Sequence, residues 1–232
     1  MLYLVREVRD HAFAPATAWK RTVEIEGVRL ALDGVSPRMR YVMCAGYERA
    51  VALLARALLT RDDSILEAGA AIGFIAAYCM KVIGIRDYTA VEANPALLEA
   101  IRRNAALNGI APPRIVHAAV CAADGEVSFG VNRNFWSSST FPRPGSTSIC
   151  VHGRSLPSLL AEMASRPTAL IMDIEGSEAA LPAEHFASFD KLIVEVHPGL
   201  AGKPAIALLL AGLREQGFHL VDRAGGSYAF AK

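Results

Sequence analysis

The apolar and polar positions of this chain change period twice. Between residues 21 and 32, "RTVEIEGVRLAL" alternates around Glu26-Gly27, which predicts a short β-hairpin. From Ser36, "SPRMRYVMCAGYERAVALLARALLT" becomes helical, with Val51, Leu54, Leu58 and Leu59 at near-helical spacing. From Asp63 onward, strand and helix patterns take turns. "SILEA", "YTAVEA", "RIVHAAV", "GEVSFGV", "ICVHG", "TALIMDI" and "KLIVEVH" read as strands. "GFIAAYCMKVIG", "NPALLEAIRRNAALNG", "SLPSLLAEMA" and "KPAIALLLAGLREQG" read as helices, and a short helix is expected after Glu175-Gly176. "FHLVDR" and "YAFAK" close the chain as a hairpin across Gly225-Gly226.

The runs in "TALIMDI" and "KLIVEVH" are almost continuously apolar, as strands covered on both faces are. The alternation therefore predicts an α/β fold, an open and mostly parallel sheet with helices on both faces. The final hairpin adds one antiparallel strand. A small β-rich N-terminal extension, residues 1–40, is expected to precede a single domain over 41–232. The polar loop "NRNFWSSSTFPRPGSTS" has no periodicity; with the extension it is expected to shape a substrate pocket, with Trp136 as a candidate wall.

Composition narrows the picture. Of 232 residues, 53% are hydrophobic, enough for a well-filled core. Lys and Arg number 24 and Asp and Glu 23, a balance that argues against nucleic acid or an acidic membrane as partner. Cys44, Cys79, Cys121 and Cys150 form no C-x-x-C pair, so neither a zinc knot nor a dithiol site is expected. "MLYLVREVRDHAF" lacks the apolar core of a secretory signal, and no apolar run reaches membrane-span length. A cytoplasmic protein is the expectation.

The candidate chemistry lies at strand ends. In open α/β sheets, ligands bind outside the carboxyl ends of the strands, where strand order reverses. "SILEAGAAIGF" places Gly69 and Gly73 in the first strand–helix turn, and Glu92 ends the next strand, where an acidic residue can hold ribose hydroxyls. The turn lacks the G-x-G-x-x-G triplet that a dinucleotide pyrophosphate needs, and Glu67 just before it suits a cation. An adenosine ligand with an ammonium, S-adenosylmethionine, fits better than NAD. Further on, Asp173 with Glu175, and Glu195 with His197, pair by strand parity at the ends of two later strands. Asp173 and Glu175 could hold a divalent metal, but no third ligand accompanies them at a convincing spacing, so no metal is expected.

"LEAGAAIG", "VEANP", "NG", "AAVCAADGEVSF", "IMDIEGSE" and "VEVHP", in that order, resemble the FkbM family of S-adenosylmethionine-dependent methyltransferases over roughly residues 45 to 200. "MDIEGSE" lies close to the family's aspartate-x-glutamate-glycine-x-glutamate pattern, and "GYE" matches the region ahead of the first core strand. The family usually has aspartate where Glu67 stands and asparagine where Ala71 stands. The resemblance implies a Rossmann-like class I methyltransferase fold. It implies that Glu67, Gly69 and Gly73 surround the methionine part of the cofactor and that Glu92 holds its ribose. Asn94 and Ala119 would lie near the adenosine, Asp173 near the methyl donor, and Tyr47 and Glu48 would complete the cofactor site. The implied reaction is O-methylation of a small molecule or a sugar hydroxyl, with Glu175 and His197 as candidate bases and Asp173 positioning cofactor or acceptor. The rival readings are an RNA or protein methyltransferase and a nicotinamide-dependent oxidoreductase. The Ala/Leu-rich helices could bury a homodimer face or only the core.

Overall fold

The structure is a computed structural model that describes residues 19–132, 138–140 and 145–232. Trp136, most of the polar loop around it and the first 18 residues lie outside the described residues. Strands β1 (Thr22–Ile25) and β2 (Val28–Ala31) form the expected hairpin, with Glu26 and Gly27 at positive φ. Helix α1 (Pro37–Cys44) starts where the Ser36 hydroxyl accepts from the Met39 amide, at 3.2 Å, ahead of a proline. Helix α2 (Arg49–Leu58) follows.

The repeating part begins with β3 (Ser64–Ala68), then α3 (Phe74–Tyr78), which runs on into a π-helical turn over Cys79–Ile83. Next come β4 (Asp87–Glu92), α4 (Pro95–Leu107) and β5 (Arg114–His117). Three strands then form a sheet of their own, β6 (Ala119–Val120), β7 (Gly125–Val131) and β8 (Thr147–Arg154), in the order β6-β8-β7. The run "RIVHAAV", expected as one strand, is split between two sheets at Ala118. The chain continues through α5 (Leu156–Ala161), β9 (Ala169–Met172), β10 (Lys191–Glu195), α6 (Pro198–Ala201), α7 (Lys203–Glu215), β11 (His219–Ala224) and β12 (Ser227–Ala231).

Among the described residues, the main sheet has seven strands in the order β11-β12-β10-β9-β3-β4-β5. The contacts β10–β9, β9–β3, β3–β4 and β4–β5 are parallel, and β12 runs antiparallel to both its neighbours. Strand parity feeds two cores. Ile65, Ile171 and Ile193 point to the face covered by α2, α3, α4 and the N-terminal hairpin. Leu66, Leu170 and Leu192 point to the face covered by α5 and α7. Each core strand thus presents apolar side chains both ways, which is why the sequence runs read as continuous.

The chain lays β3, β4 and β5 outward in one direction, then returns to place β9 and β10 on the other side of β3. Strand order therefore reverses between β3 and β9, whose ends are in register at Ala68 and Met172. Asn104 on α4 stiffens the near side of this point. It is buried, accepts from the Ala31 amide of β2 at 3.0 Å and donates to the Ile72 carbonyl in the turn after β3 at 2.8 Å.

Candidate functional site

The turn after β3 is shaped by what it must pass. A Cβ on Gly69 would stand 1.9 Å from the Asp173 carbonyl oxygen, and Gly69 has φ +87°, so only glycine lets the β3 and β9 ends lie side by side. The amides of Gly69 and Ala70 both donate to the Val91 carbonyl, at 2.9 and 3.1 Å, tying the turn to β4. Gly73 serves a different end: its missing Cβ makes room for Ile101 on α4, 3.0 Å away, and it faces packing rather than the crevice.

A cavity opens over this turn. It is lined by Tyr47, Gly69, Ala71, Glu92, Ala93, Ala118, Ala119, Val120, Phe129, Asp173 and Glu175, among others. One side is apolar, and Phe129 and Ala119 reach it because the β6-β8-β7 sheet packs there with Ala93 and Val151. Glu92 marks the other side. It is 6% exposed, its Oε2 accepts from the Ala71 amide and its Oε1 from the Asn94 amide, both at 2.7 Å. Burial lifts its carboxyl to about 7, against the pull of those backbone donors. Ala71, at φ +48°, holds a conformation rare for a residue with a Cβ, and that geometry aims its amide at Glu92. The Asn94 side chain is taken up by capping α4, accepting from the Ala96 amide at 3.1 Å.

Glu67 and Glu48 lie behind the turn. Both line a small cavity with Asp173 and Glu195, which adjoins the larger one at Gly69 and Asp173. Glu67 is 4% exposed, and neither its Oε2 nor the Tyr88 hydroxyl finds a well-formed hydrogen bond. Burial first, and then the charge of Glu48, pushes the Glu67 carboxyl well above its ordinary value, with Tyr88 easing it. Glu48 is lifted to about 7 by burial, which outweighs its hydrogen bond with Tyr47.

The β9 and β10 ends bring acidic groups and a histidine together. His197 Nε2 is 3.5 Å from Asp173 Oδ1 and 3.7 Å from Glu175 Oε2. Glu175 gets there through a left-handed backbone, φ +52°, and not through continued strand parity, because β9 ends at Met172. Behind the ring, Glu178 is fully buried. Its Oε1 accepts from the His197 amide at 2.8 Å and lies 3.2 Å from Nδ1, and its Oε2 accepts from the Gly176 amide at 2.8 Å. Burial alone would lower the His197 pKa; Glu178, Asp173 and Glu175 outweigh it and carry it to about 9. Burial, with Glu195, pushes the Asp173 carboxyl up, and His197 counters.

Asp173 and Glu175 also line a second cavity, with Arg38, Tyr47, Glu48, Arg49, Glu195 and Ala224–Ser227 of the C-terminal hairpin. Two cavities therefore share one carboxylate wall. Sequence reasoning missed the apolar wall of Ala93, Ala118, Val120 and Phe129, the hairpin's part in the second cavity, and Glu178. The inward parity of Phe129 in "GEVSFGV" was the available signal for the first. Glu178 stands in the quoted "MDIEGSE" with no local sign of its partner.

A sheet whose order reverses between β3 and β9, with a ribose-type carboxylate after β4, is the Rossmann-like fold of class I S-adenosylmethionine-dependent methyltransferases. The methyltransferase FkbM domain matches residues 67–220, and the chain belongs to that family. A methyltransferase FkbM from Methylobacillus flagellatus KT superposes with a TM-score of 0.52 at 14% identity, covering 100% of this chain and 60% of that one. Precorrin-6y C5,15-methyltransferase from Geobacter metallireducens GS-15 gives 0.49 at 11% identity, covering 80% of this chain and 86% of the other. Fibrillarin from Aeropyrum pernix, with natively bound S-adenosyl-L-methionine, gives 0.47 at 14% identity over 78% and 72%. None of the curated proteins compared matches. No helix among the described residues is long and apolar enough to cross a membrane.

Membership of the FkbM family makes the protein a methyltransferase whose cofactor is S-adenosylmethionine. The residues present fit that group. The apolar wall suits a flat base, Glu92 faces the crevice with lone pairs beyond its two backbone donors, and the unpaired Glu67 Oε2 suits a cationic end.

Proposed function

We propose that the enzyme methylates a hydroxyl of a small molecule or a sugar, held in the cavity between α1–α2 and the C-terminal hairpin. The observation that carries this reading is the wall of Asp173 and Glu175 shared by that cavity and the cofactor cavity. S-adenosylmethionine supplies a methyl group on a positively charged sulfur. The chain's task is to place an acceptor oxygen against it and to take a proton from that oxygen. Placement alone can supply a large part of the rate.

Asp173 and Glu175 accept hydrogen bonds from acceptor hydroxyls and fix their position. Glu48 is the group best matched to take the proton. It faces the acceptor cavity, and a carboxyl lifted to about 7 is half ionised near neutral pH, where a general base works best. The sequence pointed instead to Glu175 and His197. An imidazole carried to about 9 is already protonated at neutral pH and has no free site for another proton. Tyr47, lining both cavities, separates the two ligands.

The test has two parts. S-adenosylhomocysteine is titrated calorimetrically into the chain and its Glu92→Ala variant, with NAD and NADP as controls. A panel of hydroxylated small molecules and sugars is then incubated with protein and cofactor, and products are read by mass spectrometry and NMR for the methylated atom. Binding of S-adenosylhomocysteine with methyl transfer to oxygen supports the reading; transfer only to nitrogen or carbon acceptors overturns it.

A further inference from the structure

We propose that Asp173, Glu175 and His197 form a binding site for a divalent metal ion, of the kind that takes mixed carboxylate and imidazole ligands such as Mn2+ or Zn2+. One donor atom from each of the three lies within 4.8 Å of the others. The ion is held from two strand ends, β9 and β10, which is why the sequence showed two ligands and no third.

The distances suit an ion. Around a centre with bonds of about 2.1 Å, neighbouring donors sit roughly 3.0–3.4 Å apart. The His197 Nε2 distances of 3.5 and 3.7 Å need only a small side-chain rotation to match. Asp173 gives an independent sign. Its side chain is 32% exposed, yet Oδ1 is sealed from solvent, accepts no hydrogen bond and faces the imidazole. At 3.5 Å the ring is too far to donate a hydrogen bond to it, and a buried carboxylate oxygen left so is costly without a closer cation.

The histidine is oriented as a ligand would be. Glu178, buried outside the cluster, lies 3.2 Å from Nδ1, so that Nδ1–H donates to it and Nε2 is the atom turned to the centre, where an ion binds by releasing the proton that Nε2 carries in the metal-free protein. A carboxylate behind a histidine in this way fixes the ring and raises its basicity toward a metal. The other charged groups around the cluster are mostly acidic. Glu48, Glu67 and Glu195 share a cavity with Asp173, and Arg38 and Arg49 line the wider cavity on the acceptor side. Three protein ligands leave positions open toward that cavity, where oxygens of an acceptor can complete the shell. That use of the ion rests on the methyl-transfer reading above; its binding does not.

The experiment is calorimetric titration of the chelator-stripped full chain with MnCl2, and separately with ZnCl2 and MgCl2, beside a titration with S-adenosylhomocysteine. One Mn2+ or Zn2+ per chain is expected. Binding should weaken at least about 10-fold in His197→Gln and in Glu175→Gln, and about 10- to 100-fold in Glu178→Gln. His152→Gln, an exposed histidine on β8, should bind as the parent does. Circular dichroism and S-adenosylhomocysteine affinity check that each variant is folded, and if Glu178→Gln fails to fold, the other two variants decide. Absence of stoichiometric binding by all three ions overturns the site, as does binding that His197→Gln and Glu175→Gln leave unchanged. Metal binding without S-adenosylhomocysteine binding keeps the site and sinks the methyl-transfer reading. S-adenosylhomocysteine binding without metal does the reverse.

Discussion

On the β3–β4 side of the crevice, the ligand-facing surface is largely backbone and small side chains, Gly69, Ala71, Ala93, Ala118 and Ala119, with one carboxylate whose oxygens already hold two amides. On the β9–β10 side it is made of carboxylates, Asp173, Glu175 and Glu195, gathered from separate strand ends, with His197 beside the first two and held by the buried Glu178. The first side recognises shape through close approach. The second handles charge and needs its groups oriented more than it needs space. A steric change should therefore act mainly on the first side, and a neutralising change mainly on the second.

Gly69→Ala tests the seam between the two sides and should have the largest effect. Its Cβ would meet the Asp173 carbonyl, and neither backbone can give way without parting β3 from β9. We expect a loss of more than about 3 kcal/mol, a Tm lower by at least about 6 °C or failure to fold. Gly73→Ala, meeting a flexible Ile101 Cγ2 at 3.0 Å as well as its Cα at 3.2 Å, should cost clearly less in the same thermal melt. Equal losses would mean that the β3–β9 approach is not the tighter constraint.

Glu48→Gln tests the charged side. Turnover should fall about 100-fold or more while S-adenosylhomocysteine affinity stays within a few-fold of the parent. In the parent, kcat/KM should rise as pH passes through about 7 and Glu48 ionises, and the variant should lose that limb. A variant that keeps both the rate and the limb would return the base role to another group.

Glu92→Ala acts on the first side and should weaken S-adenosylhomocysteine about 10- to 100-fold, the loss of hydrogen bonds to a charged group. The same residue gives the unliganded protein a pH dependence. Its folded carboxyl titrates at about 7, above the ordinary 4.5, so between those values the native state holds a proton that the unfolded chain has released. Stability is fully present below about 4.5 and falls as pH rises to about 7, and Glu48 adds to the same fall. Thermal melts from pH 5 to 8 should show it, and Glu92→Gln should reduce it to the part that Glu48 contributes. The smallest effect is expected from Ala71→Asn. Asparagine tolerates the left-handed backbone at φ +48°, so Tm should rise by about 1–3 °C with the Glu92 contact kept. A fall in Tm would show that the turn needs the smaller side chain.

Much of the first side was legible in the sequence because it is local. Gly69 follows its strand directly, Glu92 ends the next one, and Asn94-Pro95 announces α4, so spacing alone places all three. The roles of Gly73 and Asn94 were not local: one faces Ile101 and the other caps its helix, which only the packing of α4 against the turn reveals. On the charged side the quoted "MDIEGSE" and "VEVHP" pointed to the right strand ends. Their joining was hidden, because Glu175 reaches His197 by a left-handed backbone and Glu178 reaches it across 19 residues of chain.

The sequence by itself determined the strand–helix alternation, the two-faced core strands and the family, since period and local motifs are written in consecutive residues. Only the tertiary structure decided that one carboxylate wall serves two cavities and that Glu48 lines the one beside the C-terminal hairpin. It alone decided that His197 comes within 3.7 Å of both Asp173 and Glu175. Those facts depend on which strand ends lie side by side after β9 inserts next to β3, a long-range pairing that no local pattern encodes.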